Sequence, residues 1–188
     1  MIIRLADCPS QPWKNGLGRT REIAVQPSAD GGDGFLWRVS VAEVDSAAPF
    51  SAFPGIDRHI VLLDGAGFTM TLDDGDGRVH ALTTPFVPFA FAGEAKVDVA
   101  LAGGPTRDFN LMVRRAQARG EVLPWHEPAT RKPDPATVLV FCARGAIDTA
   151  GGRLHVGDAW RPPPRAVDPL TLRDGALALV VRVEPRAR

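Results

Sequence analysis

The sequence predicts an all-β protein built from two small barrels or jelly rolls. Three observations carry that expectation. Helical periodicity is nearly absent, short strand signals recur between turns, and two stretches of the chain resemble each other. The 188 residues include 19 glycines and 17 prolines with no fixed period. Such punctuation suits short strands joined by turns and suits long helices poorly. The length fits one domain or two small ones.

Residues 19–25 (RTREIAV) read as a short extended segment. Residues 35–44 (FLWRVSVAEV) give the clearest strand, with Trp37, Val39 and Val41 pointing one way and Arg38, Ser40 and Ala42 the other. That polar face is either solvated or the lining of a wet cavity. Residues 59–63 (HIVLL), the turn Asp64-Gly65-Ala66-Gly67 and residues 68–72 (FTMTL) predict a hairpin. Residues 73–77 (DDGDG) predict a solvated turn, since a calcium loop would need the EF-hand spacing and its closing Glu. Strands follow at 86–91, where Pro88 favours an edge or a bend, at 96–101 and at 108–113. Residues 116–136 are polar and proline-rich and read as a connecting segment. A second, smaller β region follows, with strands at 137–143, 146–149, 153–156 and 176–183, interrupted by Pro162-Pro163-Pro164. The expected organisation is therefore a barrel over 1–115, a connection over 116–136 and a smaller β region over 137–188. Residues 61–67 (VLLDGAG) align on 139–145 (LVFCARG), each an apolar strand running into a glycine turn.

Lys plus Arg equals Asp plus Glu, 22 against 22. Nucleic acid and anionic membranes need a basic excess to replace counterions, so neither is expected as a partner. Two cysteines, Cys8 and Cys142, cannot make a disulfide scaffold. The first residues (MIIRLADCPSQPW) lack the apolar core and cleavage site of a signal peptide. No segment reaches the ~18–20 apolar residues of a membrane span. The expectation is a soluble, cytoplasmic protein.

The strand–turn–strand shape ending in Gly157-Asp158-Ala159 resembles the cupin pattern. Most cupins hold a metal through a His-x-His pair, a nearby Glu and a later His. Here the four histidines, His59, His80, His126 and His155, form no such pair, and two imidazoles at spacing two are what place two ligands on one face. No metal and no cofactor are expected. Arg58 stands where the first ligands would fall. If it shares a face with Ile60 and Leu62, its guanidinium points into the barrel and needs a partner. That partner is either a protein carboxylate or a ligand carboxylate held bidentately. The alternative is a surface pair with Asp57.

Residues 13–23 (WKNGLGRTREI) are the most distinctive stretch. Asn15-Gly16 is a turn signal, and Gly18 adds backbone freedom. The loop faces a ligand, with Lys14 as a cation and Asn15 as a two-way hydrogen-bonder, or is an ordinary hairpin anchored by Trp13. Asp108, Asn110 and Met112 share one face, where Asn110 either orients a ligand or satisfies a buried backbone group. Cys142 lies in an apolar run and reads as an inert core thiol.

Several strings occur together in one order over residues 1–115: WKNGLGRTREI (13–23), FLWRVSVA (35–42), PFSAFPGIDRHIVLL (49–63), DGAG (64–67), PFAFAG (88–93) and DFNLMVRR (108–115). On these the chain resembles the HutD/Ves family; the C-terminal third resembles it only in outline. The resemblance implies a bicupin, two RmlC-like cupin barrels in one chain, without metal-binding histidines. It also implies an accessory or regulatory link to histidine utilisation, with urocanate or formylglutamate as candidate ligands. Gly16-Leu17-Gly18 departs from the Gly-Gly-Gly-like run of many relatives.

Three readings follow. In the first, a pocket holds a small carboxylate through Arg58, with Lys14, Asn15, Thr20, Glu22, Arg38, Ser40 and Asn110 around it and Trp37 and Phe53 as apolar walls. In the second, the protein is a metal-independent isomerase or hydrolase acting on a small anionic substrate, with Glu22 as base. In the third it is an interaction protein with a filled barrel. Cupin-like folds often pair through sheet edges, which makes a homodimer a further expectation.

Overall fold

A computed structural model describes residues 1–13, 15–28, 34–126, 128–164 and 168–186. Among them there is no α-helix, only a 3-10 turn at Leu5–Asp7. No helix is long and apolar enough to cross a membrane. In chain order the strands are β1 (Ile2–Arg4), β2 (Ser10–Pro12), β3 (Gly18–Pro27), β4 (Phe35–Val44), β5 (Ile56–Asp64), β6 (Phe68–Asp73), β7 (Val79–Leu82), β8 (Phe89–Ala92) and β9 (Lys96–Leu101). There follow β10 (Thr106–Arg114), β11 (Ala118–His126), β12 (Ala129–Arg131), β13 (Thr137–Arg144), β14 (Ala146–Thr149), β15 (Gly152–His155), β16 (Asp158–Trp160), β17 (Leu170–Leu172) and β18 (Leu177–Pro185).

The chain divides into two compact units. One is Pro9–Arg119; the other joins Met1–Cys8 to Gly120–Pro185. In the first, a six-stranded sheet runs β2-β3-β4-β10-β5-β8 and a three-stranded sheet runs β7-β6-β9. Strict alternation sends Phe68, Met70 and Leu72 of β6, and Val97 and Val99 of β9, into the core while their neighbours face out. They meet Ile60 and Leu62 of β5, Phe91 of β8 and Val44 of β4. Each such side chain stabilises the fold by roughly 1.5–3 kcal/mol on burial. Phe50 completes this core, edge-on to Phe68 at 5.7 Å between ring centroids. In the second unit the sheets are β1-β16-β13-β18-β11 and β12-β17-β14-β15. Their core includes Val140, Ile147, Leu154, Trp160, Leu172 and Val180.

Four expectations change. The sheets of each unit are open, with distinct edge strands, so the two-barrel picture becomes two pairs of sheets. Strands β5 and β6 are not a hairpin: β5 pairs with β10 and β8, and β6 with β7 and β9. The glycine turn between them carries the chain from the larger sheet to the smaller. Gly145 does the same between β13 and β14, so the two aligned segments share a corner. An apolar run followed by a short glycine turn looks identical in sequence whether the chain reverses or changes sheets. The third change is at 116–136, which holds β11 and β12 and is not a bare connection. β11 tolerates Pro124 because it is an edge strand. Finally, Met1–Cys8 belongs to the C-terminal unit, where β1 pairs with β16.

Gly67 makes the first corner specific. Its φ is +76°, and an added Cβ would sit 2.0 Å from the Leu82 carbonyl oxygen. Its N–H donates to Thr106 Oγ1 at 3.1 Å. Gly67→Ala is expected to destabilise the protein by more than about 2 kcal/mol in urea unfolding. An unchanged midpoint would contradict this corner.

Candidate functional site

The apolar core of the Pro9–Arg119 unit draws on β5, β8 and the end of β4. Over the rest of the same sheet face, on β3, β4 and β10, lies a cavity of about 490 Å³. Register explains which side chains reach it. Asp108, Asn110 and Met112 of β10 stand opposite Ala42, Ser40 and Arg38 of β4 and opposite Leu62, Ile60 and Arg58 of β5. Residues directly opposite in a ladder share a face. Thr20 and Glu22 of β3 extend the rows beside Ala42 and Ser40, before a register shift between Glu22 and Ala24.

Arg58 is the most constrained member. It is 6% exposed and its guanidinium carbon lies 4.9, 5.3 and 5.5 Å from the ring centroids of Phe91, Phe50 and Phe53. Each cation–π contact is worth on the order of 0.5–2 kcal/mol. Nη1 donates to the Ser51 carbonyl oxygen at 3.4 Å, a long bond, and Nε has no partner among the described residues. Burial pulls the Arg58 pKa down to about 10, Asp108 opposing and Arg38 assisting. The side chain therefore remains cationic at neutral pH. The surface alternative is excluded: Asp57 pairs with Arg115, whose Nε lies 2.5 Å from Asp57 Oδ1.

Asp108 is 1% exposed. Its Oδ1 accepts from Asn110 Nδ2, and its Oδ2 has no partner among the described residues. Burial pushes its pKa up to about 7, against the opposing pull of the Asn110 hydrogen bond and the Arg58 charge. Desolvation thus outweighs both favourable contacts. On the rim, Arg38 Nε lies 3.9 Å from Glu22 Oε2, and the Arg38 guanidinium lies over Phe35 at 5.7 Å. Trp13 Nε1 donates to Thr20 Oγ1 at 2.8 Å, and the Leu17 N–H donates to Asn15 Oδ1 at 3.1 Å. These two bonds shape the loop that borders the cavity.

The structure brings Asn15, Thr20, Glu22, Arg38, Ser40, Phe53, Arg58 and Asn110 around this one cavity. Lys14 lies outside the described residues. Trp37 is not a wall. It is 3% exposed on the opposite face of β4, because alternation cannot place it beside both Arg38 and Ser40. Sequence reasoning missed Asp108, Phe50 and Phe91 as parts of the site. The shared face of Asp108 and Asn110 was the available signal for the first. Phe91 is the cross-strand partner of Arg58, a pairing no local pattern discloses. Among the described residues, no group of three His, Cys, Asp or Glu could hold a metal ion.

Paired β-sheets with a polar cavity over the larger one define a cupin-fold protein. A cupin 2 conserved barrel domain protein from Leptotrichia buccalis superposes with a TM-score of 0.60 over 98% of this chain and 96% of its own, at 8% identity, a likeness of fold alone. The chain belongs to the HutD family, whose model, described as HutD, matches residues 5–176. HutD from Pseudomonas fluorescens SBW25 superposes with a TM-score of 0.87 at 31% identity, covering 100% of this chain and 99% of that one. An uncharacterized 21.2 kDa protein in the hutC 3' region of Pseudomonas putida is 39% identical over 79% of this chain and 76% of its own. Protein Ves of Cronobacter sakazakii is 39% identical over 61% of this chain and 60% of its own.

Proposed function

We propose that this protein is a non-catalytic accessory member of the HutD family that holds a small carboxylate on Arg58. The observation that carries the reading is a buried guanidinium at a cavity wall whose Nε has no partner among the described residues. A buried charge without a hydrogen-bonded counter-charge is unfavourable, and a ligand carboxylate supplies both the charge and a bidentate acceptor. Three phenyl rings hold the guanidinium and keep water from it, which strengthens a charged hydrogen bond made there. The P. putida relative is named for its place in the hutC 3' region, which supports a small acid of histidine utilisation as ligand. Urocanate and N-formylglutamate are the first to test, and the reading places the protein in the cytoplasm.

Ligand binding to the native state alone raises its melting temperature. Near a hundredfold excess over Kd the gain is about 2.7 kcal/mol, which is roughly 5–10 °C for a chain of this size. Millimolar urocanate or N-formyl-L-glutamate is expected to produce such a shift, and neutral urocanamide none. No shift with either acid would overturn the reading.

A further inference from the structure

Beside the unsatisfied donors Arg58 Nε and Arg38 Nε, the cavity contains a buried, unsatisfied group of opposite character. Arg58 Nε is a donor without an acceptor, and Asp108 Oδ2 is an acceptor without a donor, both among the described residues. Both side chains line the cavity and both are almost fully buried. The sheet sets their separation. The cross-strand partner of Arg58 is Met112, four residues from Asp108 on the same face of β10. Four residues of strand span about 14 Å at the backbone, and the two side chains come near enough for each charge to act on the other. Ser40 and Asn110 lie between the two ends.

The geometry points to Asp108 as a specificity-determining residue that accepts a hydrogen bond from an N–H group on the acid whose carboxylate rests on Arg58. The ligand class is then a carboxylic acid that also carries an amide or azole N–H, not a simple carboxylate. This inference rests on the carboxylate reading and sharpens it. The Asn110 bond fixes which oxygen is used, because Oδ1 is already engaged. A buried acceptor left unpaired is expensive, and a site built to meet a donor rejects the analogue that lacks one. In Asp108→Asn the remaining carbonyl oxygen stays with Asn110, and the new NH2 group takes the place of Oδ2. A donor then faces the ligand's donor.

The test uses two matched pairs, measured by calorimetric titration of the full chain at pH 8.5, where the Asp108 carboxyl is ionised and Oδ2 accepts. One pair is urocanate and 3-(1,3-oxazol-4-yl)acrylate, in which oxygen replaces the N–H. The other is N-formyl-L-glutamate and its N-methyl derivative. In the wild type the N–H member of at least one pair is expected to bind at least tenfold more tightly. In Asp108→Asn that preference is expected to collapse to threefold or less, while the N–H-free analogues bind much as before. Circular dichroism of the variant establishes that it is folded. Equal wild-type binding within both pairs, or a preference that survives in Asp108→Asn, overturns this inference and leaves the carboxylate reading standing. Failure of all four acids to bind the wild type overturns both.

Discussion

Arg58→Met should abolish carboxylate binding and leave the ligand-free protein as stable as the wild type, or more so. Removing one member of a buried charge pair costs roughly 2–5 kcal/mol, so affinity should fall about thirtyfold or more. Stability should move the other way. Arg58 is 6% exposed, and among the described residues its guanidinium hydrogen-bonds only over the long distance to Ser51. A buried cation without a hydrogen-bonded carboxylate partner carries a desolvation cost that an apolar side chain of similar volume does not, although the Arg58 charge also favours the ionised Asp108 carboxyl. The contacts to Phe50, Phe53 and Phe91 offset part of that gain, and Met keeps a favourable sulfur–aromatic contact with the same rings. Titration calorimetry and urea unfolding of the same preparation check both halves. A variant that loses several kcal/mol of stability would mark Arg58 as a structural side chain and not a ligand holder. Function would then be drawn from elsewhere in the fold, whereas the present account has the site giving up stability for binding.

Asp108→Asn should change how stability depends on pH. The Asp108 carboxyl titrates near 7 when folded, against 3.8 for the free side chain. The folded state therefore binds the proton more tightly than the unfolded chain. Between those two values the folded state holds more protons, so stability falls as pH rises, and the penalty is complete above about pH 7. At about 1.4 kcal/mol per unit, the penalty is roughly 4 kcal/mol at most. Among the described residues, the charged groups that share the cavity with Asp108 are Glu22, Arg38 and Arg58, and the field of Arg58 moderates the effect. An asparagine has the same shape and no charge to bury. The variant should be more stable than the wild type at pH 8, and at pH 5 that advantage should be smaller by roughly 3 kcal/mol. Urea midpoints at the two values check this, and a difference independent of pH would contradict a buried, titrating carboxyl.

Much of the site was legible because it rests on one strand pattern. The alternation of Arg38, Ser40 and Ala42 in β4 and of Asp108, Asn110 and Met112 in β10 marks two neighbouring polar faces, and the sheet lays them side by side. The same alternation rules out Trp37, an aromatic residue that composition alone would place near a ligand. The chain order of Arg58, Ile60 and Leu62 correctly turns the guanidinium inward. What could not be read depends on partners distant in sequence. The rings over Arg58 come from a loop before β5 and from β8. The shift between Glu22 and Ala24 in β3 has no glycine or proline to announce it. The strands β1, β2, β12, β16 and β17 are three residues each, too short for any period to emerge. The sheet corner at Gly67 and the edge strand β11 follow the same logic. A turn and a proline-rich stretch both gain their meaning from pairings made elsewhere.

The most direct measurement is a crystal structure of the protein soaked with urocanate or N-formyl-L-glutamate. The account predicts a carboxylate in the cavity with its two oxygens on the Arg58 guanidinium, one of them accepting from Nε, at the short distances of charge-assisted hydrogen bonds. A cavity that holds only water, or an acid whose carboxylate sits away from Arg58, would contradict it.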